Sequence, residues 1–95
     1  MPNINDAVIV RARDAGVHFG YLKSYSGREV TLTNSRRIWR WFGANTLSEV
    51  AMIGIDQSKS RIAVKVDEIT ILDACEIIAC SPEGTASIEG ATWVK

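Results

Sequence analysis

The spacing of apolar positions changes along the chain, and each change predicts an element. Val8-Ile9-Val10-Arg11-Ala12-Arg13 is a short apolar run between a polar start and the turn residues Asp14-Ala15-Gly16, and it reads as a strand. From Val17 to Tyr25 the residues Val17, Phe19 and Tyr21 alternate with His18, Gly20 and Leu22, so the two sets face opposite sides of a second strand. Ser26-Gly27 closes a hairpin onto Arg28 to Thr33, where Val30 and Leu32 alternate with polar residues. Asn34-Ser35 reads as a brief turn, and Arg36 to Phe42 as a fourth strand ended by Gly43.

The period then lengthens. Thr46-Leu47-Ser48-Glu49 has the spacing of a capping box, with Thr46 or Asn45 as N-cap, and Leu47, Val50, Ala51 and Gly54 share one helical face. After the hydrophilic loop Asp56 to Ser60, the residues Ile62, Val64 and Val66 alternate with Arg61, Ala63 and Lys65 and predict a half-buried strand. Glu68 to Asp73 and Ala74 to Cys80 read as one long bent strand or a closely linked pair. Ser81-Pro82-Glu83 starts a second helix, which Gly84 weakens and Gly90 stops. Ala91 to Val94 is expected to return as an edge strand. The expected fold is α+β and a single domain over residues 1–95: a small, mostly antiparallel curled sheet or open barrel of about six or seven strands with one or two short helices.

Composition adds two constraints. With 95 residues, 46% of them hydrophobic, the chain supports one core, and a core of this size buries only roughly 60 to 65% of the unfolded surface. Subunit association would add to that thin margin, and a homo-oligomer is expected. The formal net charge is zero, which argues against a protein that coats nucleic acid or an anionic membrane. The zero conceals an asymmetry. Residues 1–44 carry seven basic groups (Arg11, Arg13, Lys23, Arg28, Arg36, Arg37, Arg40) and three acidic ones (Asp6, Asp14, Glu29), a balance of plus four, and the remainder carries minus four. Such a split suits an anionic ligand on the first half, or subunits that pack basic surface on acidic surface.

The opening MPNINDAVIV carries neither a basic nor an apolar leader segment, and no apolar run approaches the ~20 residues of a membrane span, so a cytoplasmic protein is expected. Cys75 and Cys80 fall outside the usual zinc and redox spacings, with His18 distant in sequence; they read as packed thiols, and no metal or cofactor is expected.

Candidate chemistry concentrates in NSRRIWRWFGAN, residues 34–45. If Arg36 to Phe42 is extended, Arg37, Trp39 and Trp41 project to one side while Arg36, Ile38, Arg40 and Phe42 project to the other. Guanidinium groups grip phosphates through paired hydrogen bonds and indoles stack on bases, so Arg36, Arg37 and Arg40 with Trp39 or Trp41 make a nucleotide-type site. Asn34 and Asn45 flank it with amides for ribose or base edges. The same residues have a structural reading, since strand tryptophans commonly pack in cores and arginines lie over aromatic rings. No Gly-rich phosphate loop, HExxH pair or GxSxG elbow occurs, and the chain is not expected to be an enzyme.

The segments RARDAGVHFGYLKS, GREVTLTNSRRIWRWFGANTLSEVAMIG and ITILDACEIIACSPEGTASI resemble an uncharacterised family of small accessory proteins encoded by tailed phages and prophages. Asn34, Arg36, Arg37, Ile38, Trp39, Trp41, Gly43, Ala44, Leu47 and Ser48 carry the likeness. The proline and Cys-Lys that several relatives have after the helix are replaced by Asp56 to Ser60 here. A phage context implies, by analogy, a non-enzymatic anti-defence protein in the host cytoplasm that sequesters a cyclic nucleotide or ADP-ribose-type signal. The alternatives are a module that inhibits a host protein and a minor phage structural or assembly component.

Overall fold

In the computed structural model, which describes residues 2–92, the run Val8-Ile9-Val10 forms the middle of strand β1 (Ala7–Ala12) and is buried on both faces. It lies centrally because apolar side chains point both ways from it. β1 pairs antiparallel with β2 (Gly16–Ser26) on one side and with β6 (Ala74–Ala79) on the other. β2 pairs in turn with β3 (Glu29–Arg40), whose outer edge carries β5 (Val66–Ile71) and then β4 (Arg61–Ile62), all antiparallel. The expected α+β fold with a curled antiparallel sheet is the one observed.

β5 and β6 are joined by Leu72 and Asp73 alone, yet they pair with different strands, β3 and β1. The sheet therefore has to curl until its edges approach at that end. There the amide of Arg13 donates to the Asp73 carbonyl (3.2 Å) and that of Ala74 to the Arg28 carbonyl (3.0 Å). Among the described residues no ladder joins β5 to β6, so the barrel stays open along one seam.

Curling produces two apolar layers. Val8, Val10, Ala12, Leu22, Val30, Leu32, Ile71 and Ala74 fill the inside of the curl. Ile9, Phe19, Ile38 and Ile62 pack on the outside against helices α1 (Leu47–Ile53) and α2 (Pro82–Glu89), which contribute Val50, Ala51 and Ile88. Each large side chain so buried contributes about 1.5 to 3 kcal/mol.

The turn expected at Asn34-Ser35 is instead a bulge inside one 12-residue strand. Thr33 opposes Tyr21 and Arg36 opposes Phe19, which leaves Asn34 and Ser35 together facing Gly20. Asn34 takes φ 47, a left-handed conformation that asparagine adopts more readily than most residues. One extra residue reverses the alternation. Val30 and Leu32 point into the curl, whereas Arg36 and Ile38, of the same parity, point to the helices. A second irregularity between Ile38 and Arg40, opposite β4, lets Trp41 also lean on the helix-side layer.

The strand expected from Arg61 to Val66 is short for a related reason. The Ala63 carbonyl accepts Arg36 Nε (2.9 Å), and β3 resumes pairing only at Val66, opposite Ser35. Of the edge strand expected at Ala91 to Val94, Ala91 and Thr92 are not extended in a ladder, and Trp93 and Val94 lie outside the described residues.

Both predicted caps are present. Thr46 Oγ1 accepts from the Glu49 amide (3.3 Å), and Glu49 reaches back to the Asn45 amide (3.3 Å). Ser81 caps α2 through the Gly84 amide (2.9 Å), with Pro82 following it. Gly84 sits where α2 crosses α1: a Cβ there would lie 2.1 Å from the Ala51 carbonyl oxygen. The glycine that weakens the helix locally is what lets the two helices touch.

A hollow centred on Arg37

Because the bulge turns Arg36 toward the helices, its neighbour Arg37 points to the open side of the sheet and is exposed. Arg37 lines three hollows that share walls. The largest, about 480 Å³, lies along β5 from Ile69 to Asp73 and against the β1–β2 turn at Asp14 and Ala15. A second, about 200 Å³, is bounded by His18, Ser35, Ala63, Val64, Val66 and Ile69. The third, about 310 Å³, runs from the same turn to Trp39 and Trp41. The open seam of the curl thus ends on one guanidinium among mostly apolar side chains, with the carboxylates of Asp14 and Asp73 on the wall of the largest hollow.

Electrostatics sharpen this picture. His18 is buried and its Nε2 donates to the Ala15 carbonyl (2.9 Å), which ties the turn down. Loss of hydration lowers the His18 pKa from its ordinary value, and the Arg37 cation lowers it further, against opposing pulls from the Ala15 carbonyl and Asp73. A neutral ring donating from Nε2 leaves Nδ1 as an acceptor. Trp39 is 58% exposed, and the Arg61 guanidinium lies 5.5 Å from its ring centroid, a cation–π contact that steadies the indole.

Residues 5–88 match a family model described as "Domain of unknown function (DUF6948)". The chain belongs to this family. The match spans every residue lining the three hollows, from Asp14 to Asp73. No curated protein and no solved structure matches the chain.

The other candidates of this DUF6948 domain divide by position. Arg37, Trp39 and Trp41 come together on the third hollow, Trp41 half-buried and Trp39 exposed. Arg36 does not join them: only 8% exposed, its guanidinium donates to the carbonyls of Ala63 (2.9 Å), Ile88 (2.9 Å), Glu89 (3.1 Å), Ala91 (2.7 Å) and, more weakly, Ile62 (3.4 Å). Three of those acceptors belong to the end of α2 or the residues just after it, so Arg36 acts as a cap supplied by a strand. Arg40 lies over Phe42, 5.1 Å from the ring centroid. Asn45 bonds to Glu49 in the α1 cap, and Asn34 occupies the bulge; neither lines these hollows.

Sequence reasoning missed Asp14, His18, Val64 and Val66 as neighbours of Arg37. Only the curl joins them, and no local pattern announces it. Among the described residues no cluster of His, Cys, Asp or Glu could hold a metal ion, and no helix is long and apolar enough to cross a membrane. Burial pushes the Cys80 thiol up to about 12, which makes it a poor nucleophile, while Cys75 is exposed.

Proposed function

We propose that the chain is a non-catalytic binding protein that holds a nucleotide-type anion in the hollow around Arg37, phosphate on the guanidinium and base against Trp39. The observation that carries this reading is that one exposed arginine lines all three hollows while the remaining walls are mostly apolar. Small-molecule sites are of this kind, a few hundred cubic ångströms of apolar wall with a few placed polar groups. In the phage context that the family resemblance implies, such a protein works by sequestering an immune signal, as a homo-oligomer in the host cytoplasm.

Melting curves with AMP, ADP-ribose and cyclic dinucleotides test it. A ligand at a hundred times its Kd stabilises by about 2.7 kcal/mol, which at 4 to 8 °C per kcal/mol raises Tm by about 10 to 20 °C. Arg37→Ala is expected to melt like the parent without ligand and to show no shift with it. Unshifted melting of the parent with all of these compounds overturns the proposal.

A second reading has its own support. Trp39, Val64, Val66 and Leu72 are 58%, 76%, 43% and 72% exposed and rim the hollows, and exposed apolar groups beside an arginine resemble a protein-binding hot spot. A purified host protein that binds stoichiometrically to the parent, but not to a folded Arg37→Ala, Trp39→Ala double variant, would put this reading first.

A further inference from the structure

The charges lining the largest hollow do not suit a polyphosphate. Its walls hold one guanidinium, Arg37, and two carboxylates, Asp14 and Asp73. Asp73 is engaged within the fold, since its Oδ2 accepts from the Asp14 amide and its backbone carbonyl accepts from the Arg13 amide. Asp14 differs: its backbone amide is used, but among the described residues its carboxylate makes no hydrogen bond or ion pair. The turn that carries it is fixed on both sides, by Asp73 at Asp14 and by His18 Nε2 at the Ala15 carbonyl (2.9 Å). Asp14 consequently lines both of the larger hollows alongside Arg37, and His18, kept neutral by burial, adds no second cation.

A carboxylate accepts hydrogen bonds from hydroxyls and opposes every extra phosphate charge brought near it. An acidic side chain reading ribose hydroxyls beside a phosphate site is a recurrent solution to nucleotide recognition. We infer that the two larger hollows, which meet at Arg37 and Asp14, together take one ribonucleotide unit with a single phosphate, the phosphate on Arg37 and the ribose hydroxyls on Asp14, and that Asp14 discriminates against deoxy and polyphosphate relatives. This deepens the nucleotide reading and rests on it.

Titration calorimetry of the intact chain with AMP, 2′,3′-dideoxy-AMP and ATP tests the inference. The parent is expected to bind AMP about tenfold or more tightly than either of the others. Asp14→Asn removes the charge, and the preference for AMP over ATP falls to within about threefold; Asp14→Ala also removes the preference for the ribose hydroxyls. Since the Asp14 carboxylate has no partner among the described residues, both variants should melt like the parent, which the same samples verify. If the parent binds ATP as tightly as AMP, or if Asp14→Ala keeps both preferences, the inference is overturned while the nucleotide reading stands. Binding of none of the three overturns the inference, and the wider melting screen then decides whether the nucleotide reading falls too.

Discussion

Replacing Arg36 by methionine keeps most of the side chain's length and apolar contact while removing its donors. Five contacts are lost, four of them between 2.7 and 3.1 Å and one at 3.4 Å. Hydrogen bonds to charged groups contribute about 1.5 to 3 kcal/mol each, and a naive sum over the four short ones gives roughly 6 to 12 kcal/mol. That would equal most of the stability of a domain this size, about 5 to 14 kcal/mol, so the sum is too large. Two effects reduce it. The carbonyls at the end of α2 can reach water by fraying the last turn, and the arginine itself is nearly buried with no carboxylate among the described residues in ion-pair contact, so its removal also relieves a desolvation cost. A net loss of about 3 kcal/mol remains, comparable to breaking a buried polar network.

For a domain of this length, that loss lowers Tm by about 12 to 24 °C. Thermal unfolding followed by circular dichroism measures it, and hydrogen exchange locates it: amides in the last turn of α2 should lose protection first. Arg36→Lys separates charge from shape. An ammonium cannot span acceptors on two separate segments, 62–63 and 88–91, so lysine should recover less than half of the loss. Arg37→Met, one residue along and exposed, should change stability by no more than about 0.5 kcal/mol. A Tm drop under about 4 °C for Arg36→Met would refute the capping argument.

Two further outcomes follow from geometry and charge. Gly84→Ala would gain up to about 1 kcal/mol of helix propensity, but its Cβ meets the Ala51 carbonyl oxygen at 2.1 Å, so a net destabilisation of about 1 to 3 kcal/mol is expected by denaturant unfolding. His18 has a pKa lowered by burial, so the unfolded chain binds its proton more readily. Stability is full above the unfolded value near 6.5 and falls as pH drops from there toward the lower folded pKa. Melting between about pH 5 and pH 8 should show that slope flattened in His18→Gln, provided the glutamine still reaches the Ala15 carbonyl.

How much of this the sequence could show depends on how local the cause is. Thr46 and Ser81 act on amides three residues away, and both caps were legible. The alternation of Val17, Phe19 and Tyr21 against His18 and Leu22 was legible too, because nothing interrupts the strand between those residues and its β1 partner. Through Arg36 to Phe42 the same reasoning separated Arg37 and Trp39 from Arg36 and Ile38, and the structure keeps that split. Which set faced inward could not follow from it, since the answer depends on Asn34 absorbing one residue opposite Gly20. Arg36 was less legible still. Its partners are backbone carbonyls of residues 26 to 55 positions away, and a carbonyl has no signature in the sequence.

These two facts are connected. The bulge that sends one arginine under the helices sends the next one outward, so the capping role of Arg36 and the exposure of Arg37 come from the same extra residue in β3. With an uninterrupted alternation, Arg36 would share the face of Leu32 and point into the curl, where no α2 carbonyls await it, and Arg37 would turn away from His18 and the seam. The hollow thus depends on a register choice made at Asn34, three residues before its arginine.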